Sequence, residues 1–266
     1  MTAPIPEPAH RSGCATCATS ACCVRLEPEL TGFDIARLAR ARGLAADEIA
    51  RLAPGHGDLA QADGVLLDGP DRVWLLQLRP ADPRAPRAER RCAFLLHLAP
   101  GVDRCGVYAH RPMLCRTFPT ELTVAGVMVA TPEAICPPNA WDIARTDLAG
   151  ARQVHLRAAI ERELHRAALA RWNAAASERE AAPRDAVIAA FFAWLERVTA
   201  ALEAALAPHL ATPAAVEAAA RDLDLPRDGD DRPADALGPS AGADAGPALV
   251  ATLRAALDRF PEHRFR

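Results

Sequence analysis

Eight cysteines fall between residues 14 and 136 of a 266-residue chain, and none follows. They come as Cys14-Ala-Thr-Cys17-Ala-Thr-Ser-Ala-Cys22-Cys23, and then Cys92, Cys105, Cys115 and Cys136. Thiols at this density are explained by disulfides in an oxidising compartment or by metal ligation in a reducing one. Residues 1–13 show no basic segment followed by an apolar run, and no stretch of about 18 apolar residues occurs that could span a bilayer. The chain is therefore expected to be cytoplasmic and to have no membrane association. Thiols stay reduced there, which makes metal ligation the leading reading.

Composition narrows the partners. Lysine is absent, so all 31 basic residues are arginine, set against 34 acidic ones. A nucleic-acid binder normally shows a basic excess or stripe, and this balance supports no such partner. A protein partner or protein substrate remains open. The oligomeric state is not indicated.

Thiolates are soft donors, and sets of four suit Zn²⁺ or an iron–sulfur cluster. A C-x2-C pair such as Cys14/Cys17 can place both sulfurs on one ion. The adjacent Cys22 and Cys23 diverge, so they serve two positions, or one ligates while the other packs. Eight thiols can build two four-ligand sites or one cluster with supporting neighbours. A thioredoxin-like reading of Cys14/Cys17 lacks the preceding strand it requires. Inert burial would account for one or two cysteines at most, with Cys22 and Cys136 the first candidates. Four thiolates on Zn²⁺, like an oxidised four-iron cluster with its thiolates, carry a net charge of −2. Arg111 and Arg116 flank Cys115 and could offset that charge through hydrogen bonds to sulfur, or pair with a nearby carboxylate. Tyr108, the one tyrosine, reads as core packing with a bonded hydroxyl. His97 and His110 lie near cysteines but are not needed to complete a four-ligand set. The soft set without a clear histidine, and the proline after Cys136, tilt the cofactor toward an iron–sulfur cluster over zinc.

Local patterns set out the elements. Thr31 can cap a helix with Asp34 in its first turn, Ile35 and Leu38 repeat at helical spacing, and Gly43 suits the C′ position. A second short helix is expected over 45–52. Residues 65–67, 73–78 and 123–131 have strand character, the last with a possible turn at Ala125-Gly126. Residues 79–91 read as an exposed loop rich in Pro and Arg. Leu156, Ile160, Leu164, Ala168 and Trp172, then Val187, Phe191, Trp194, Val198 and Leu202, mark two helices broken at Ala182-Pro183-Arg184. Their stripes are expected to pack onto the cysteine region. The expected organisation is a tail over 1–11, a cysteine domain over 12–142, a helical hairpin over 147–220, a disordered linker over 221–246 and a short helix within 247–266.

These residues carry a resemblance. The first cysteine block, the Leu-Thr-x-x-Asp helix start, Cys92-Ala-Phe94-Leu95, the run from Cys105 through Tyr108, Arg111, Pro112, Cys115, Arg116 and Phe118 to Pro119, and Ile-Cys136-Pro137 are together similar to the YkgJ-type cysteine-cluster family. The likeness covers residues 12–141. It implies chelation of zinc or iron, and a module shared with flagellin lysine-N-methylases. One departure is the first block, where two extra residues separate Cys17 from Cys22. The fold class expected is α+β: a small irregular domain stabilised by metal, followed by the helical hairpin. The function expected is metal binding through the eight cysteines. Alternatives are an S-adenosylmethionine-dependent protein-lysine methyltransferase and a metal storage or delivery protein. Against the enzyme, no Gly-rich strand-to-helix turn is present.

Overall fold

The computed structural model describes residues 21–55, 63–67, 69, 72–86, 89–99, 102–123, 126–129, 147–179, 181–223, 225 and 247–260. Helix α1 spans Ala21–Arg25 and helix α2 spans Gly32–Arg42. Helix α2 forms where its local signals place it. Thr31 caps it through the Asp34 N–H, the Asp34 carboxylate accepts in return from the Thr31 N–H, and Gly43 closes it at φ 65.

Downstream, the expected helix over 45–52 divides. Only Ala46–Ile49 is helical (α3), and Ala50–Pro54 is strand β1. The reason is tertiary: β1 pairs antiparallel with β3 (Val73–Leu78), from Ala50 opposite Leu78 to Pro54 opposite Trp74. Strand β2 (Val65–Leu66) pairs along the other edge of β3. Two hairpins follow. Strands β4 (Leu95–Ala99) and β5 (Val102–Cys105) form one, and β6 (Thr120–Thr123) with β7 (Gly126–Val129) forms the other. Of the strand expected over 123–131, Thr123 ends β6 and Gly126–Val129 is β7, while 124, 125, 130 and 131 lie outside the described residues. Between the hairpins sits the one-turn helix α4, Met113–Thr117, with Pro112 before it and a cis Phe118–Pro119 peptide after it.

The C-terminal part is helical: α5 (Leu148–Ala174), α6 (Arg184–Leu206), α7 (Pro213–Asp222) and α8 (Pro247–Asp258). Pro183 stands immediately before α6, where the break was expected. Every residue of the two sequence stripes is buried. The chain is α+β, with small sheets and a helical C-terminal region. Among the described residues, no helix is long and apolar enough to cross a membrane. The tail over 1–11, most of the linker over 221–246 and the boundary near 142–146 lie outside the described residues.

A single apolar core runs through both regions. It joins Phe33 and Leu38 of α2, Leu76 of β3, Phe94 and Val107 beside the cysteines, Ile160 and Trp172 of α5, Phe191 and Val198 of α6, and Leu253 of α8. Helix α2 enters between α5 and α6 at its N-terminus. The Gly32 N–H donates to His165 Nδ1 at 3.3 Å, and a Cβ on Gly32 would fall 2.3 Å from Thr199 Oγ1 and 3.0 Å from Leu195 Cδ1. Glycine is required there for close approach. Gly32→Ala should lower unfolding free energy by about 1–3 kcal/mol, the usual cost of overpacking. Denaturant titration checks this, and Thr199→Ala in the same chain should restore part of the loss. An unchanged midpoint for Gly32→Ala would contradict the packing.

Candidate metal centre

Five of the eight cysteines lie among the described residues, on four separate pieces of backbone. Cys22 and Cys23 are neighbours on α1, so their side chains point about 100° apart around the helix. Cys92 follows the loop over 79–91 and is tied back to α1, its N–H donating to the Cys23 carbonyl at 2.8 Å. Its own carbonyl accepts from the Leu95 N–H at 3.1 Å, turning the chain into β4. Cys105 ends β5 opposite Leu95, and the next N–H, Gly106, donates to the Phe94 carbonyl at 2.7 Å. Cys115 sits in the middle of α4. Cys14, Cys17 and Cys136 lie outside the described residues.

Electrostatics show which of these thiols share a neighbourhood. Burial pushes the Cys92 thiol up to about 11, N–H donors of Phe94 and Leu95 oppose this, and the neighbouring Cys105 and Cys22 add to the rise. Burial likewise holds Cys115 well above the ordinary thiol range. Cys92, Cys22 and Cys105 act in the same direction on it, while the Arg111 guanidinium opposes them. Cys92 and Cys115 thus each lie within charge–charge range of Cys22 and Cys105 and of one another, although up to 93 positions separate these residues in sequence. Cys22, which sequence reasoning put among the candidates for inert packing, stands inside this group. Buried thiols such as Cys92 and Cys115, held neutral by burial and by neighbouring sulfurs, are poor as isolated groups. They suit a soft cation, which stabilises thiolate directly. Among the described residues, no three His, Cys, Asp or Glu side chains are gathered tightly enough to hold an ion by themselves.

The flanking residues divide by role. Arg111 is 9% exposed, stacks over the Tyr108 ring at 3.9 Å and donates from Nε to the Tyr108 carbonyl. That geometry fixes the cation whose field reaches Cys115. Arg116 is buried and donates to the Ala109 carbonyl at 3.0 Å, bracing the turn that precedes α4. Tyr108 serves as the platform beneath Arg111. His97 is exposed and engaged with Asp103 at 2.7 Å, and His110 is exposed at the end of the turn 108–110. Neither histidine figures among the groups acting on Cys92 or Cys115. Sequence reasoning passed over Arg37 and Glu161. Arg37, only slightly exposed, is held between Asp34 at 2.6 Å and both oxygens of Glu161 at 2.7 and 2.8 Å. Their only sequence signal was two charges on helix positions that look solvent-facing.

Residues 13–137 match the model of the CxxCxxCC family, described as "Putative zinc- or iron-chelating domain". Over these 125 of its 266 residues the chain is similar to that family. The match takes in all eight cysteines and ends one residue after Cys136. No curated protein and no solved structure matches the chain. The family match supports chelation of zinc or iron by this segment. Helices α5–α8 lie beyond the matched segment, yet they share its core.

Proposed function

We propose that the segment similar to the CxxCxxCC family holds a thiolate-ligated metal centre in the cytoplasm, an iron–sulfur cluster in preference to zinc. Cys22, Cys92, Cys105 and Cys115 contribute to it, together with Cys14, Cys17, Cys23 and Cys136. The observation carrying this reading is that Cys22 and Cys105, from separate backbone segments, both act electrostatically on the buried Cys92 and Cys115 thiols, which also act on each other. The preference for iron–sulfur rests on an all-sulfur donor set, since His97 and His110 are directed to solvent. When bound, such a cluster supplies one-electron redox chemistry. The chain's own residues supply the shielded setting: Arg111 offsets anionic charge at Cys115, and the backbone donors of Phe94 and Leu95 address the Cys92 sulfur.

Anaerobic purification followed by metal and sulfide analysis and a visible spectrum tests this. A brown protein that bleaches in air, with iron and sulfide in matching amounts, is the expected result. Cys105→Ser or Cys115→Ser should then remove most of the bound metal. A colourless protein with stoichiometric zinc would overturn the iron–sulfur assignment. A folded, fully reduced protein that binds neither metal would overturn the centre itself.

A further inference from the structure

We propose that Asp34 is the positioning residue of the cysteine centre, its carboxylate holding the helix that carries Cys115; this rests on the reading of Cys115 as a metal ligand. A capping carboxylate needs only the N–H of its own N-cap residue. Asp34, 2% exposed, accepts four donors. On Oδ2 are the Thr31 N–H and the Thr31 hydroxyl, each at 3.0 Å. On Oδ1 are Arg37 at 2.6 Å and the backbone N–H of Met113 at 2.8 Å, 79 positions away.

Met113 is the first residue of α4, and its N–H is one of the donors that a helix start leaves without an internal partner. Pro112 before it has no side-chain oxygen to serve as a cap. A single helical turn has almost no stability of its own, so where α4 sits is decided by what anchors it. Asp34 ties its first N–H to α2, and Arg37 continues the tie from Asp34 to Glu161 on α5. Cys115 lies two residues from the anchored N–H. A sulfur on a turn held this way keeps its place when metal leaves, whereas one on a loose turn would wander. The Thr31-x-x-Asp34 capping box thereby sets the geometry of a cysteine 81 positions downstream.

The test compares metal release to an excess of chelator in Asp34→Ala, Asp34→Asn and Thr31→Ala, with thermal midpoints measured alongside. Thr31→Ala removes the cap of α2 but leaves the Met113 bond, so it reports a purely structural loss. Asp34→Ala should release metal at least about tenfold faster than Thr31→Ala, beyond any difference in midpoint. Asp34→Asn keeps an oxygen for Met113 and should return most of the way to the native rate. Equal release from Asp34→Ala and Thr31→Ala would overturn the proposal. If Asp34→Ala fails to fold, amide exchange in the native chain decides. The Met113 N–H should be strongly protected, and exchange at the rate of an open amide would refute its anchoring. Cys115→Ser separates the two readings. Full metal retention there removes Cys115 as a ligand, whereas metal loss in Cys115→Ser with native release in Asp34→Ala removes only the role of Asp34.

Discussion

Replacing Trp172 with alanine is expected to cost about 3–5 kcal/mol, the usual range for emptying a large aromatic site in a core. Trp172 is fully buried near the end of α5, against Phe191 with ring centroids 5.1 Å apart and Trp194 at 5.3 Å. Its ring also lies under the Arg179 guanidinium, 4.3 Å from its centroid. The indole N–H donates to the Leu66 carbonyl at 3.0 Å, and Arg179 reaches the same oxygen at 3.1 Å. Beside them, Asn173 accepts from the Leu66 N–H and donates to the Gly64 carbonyl. Strand β2 is thus hung on the end of α5 by side chains, with the indole at their centre. Alanine would leave a cavity, strip the aromatic face from a buried cation and remove one of two donors to Leu66. Trp172→Phe keeps a ring but not the N–H, so its loss should fall between alanine and native. Chemical denaturation reads both variants, and a loss below about 1 kcal/mol for Trp172→Ala would contradict this arrangement.

Acidification should destabilise the fold through His165. Its Nδ1 accepts from the Gly32 N–H, so the imidazole is neutral in the folded chain. Burial lowers its pKa from 6.5 to about 4. Asp63 and Asp34 oppose that fall, while Arg166 and Arg162 reinforce it. The unfolded chain therefore takes up a proton first as pH drops, and stability rises with pH wherever the unfolded state binds more protons. The contribution of this group is complete above pH 6.5, declines as pH falls toward 4 and is flat below. A shift of this size corresponds to about 3 kcal/mol in all, of which roughly 2 kcal/mol is gone by pH 5. Urea midpoints at pH 7.5 and 5, in the native chain and in His165→Gln, isolate the effect, because glutamine can still accept from Gly32 without titrating there. The same pH sensitivity in both chains would show that the imidazole is not responsible. His155 is shifted the same way, also to about 4, by burial beside Thr120, whose hydrogen bond opposes the shift.

Elements governed by neighbours within one turn were readable in advance. Helix α2 has its cap at Thr31 and its stop at Gly43, and both act over three or four residues. The stripes of α5 and α6 were equally plain, because helical spacing alone puts Leu156, Ile160 and Trp172 on one side. Residues 50–52 were misread because what makes them a strand is β3, more than 20 positions away, and not their own pattern. The hairpin of β4 and β5 gave no warning either. Leu96, Leu98 and Val102 all face outward, so the strands show no buried and exposed alternation to detect.

The cysteine count and its soft-donor chemistry were set by the amino-acid sequence alone, as were the helix caps and the apolar stripes. These are properties of residue type and of spacing within a turn or two. Which thiols meet was decided by tertiary structure. Cys22 acts electrostatically on Cys92 and Cys115 from far along the chain, and Cys92 and Cys105 pack against the apolar core shared with the C-terminal helices. The second duty of Asp34 was decided there too. A capping motif read locally ends at its own helix, and only the folded chain brings the Met113 N–H to the carboxylate. Contacts over such separations depend on how the chain as a whole removes its apolar surface from water, which no local pattern records.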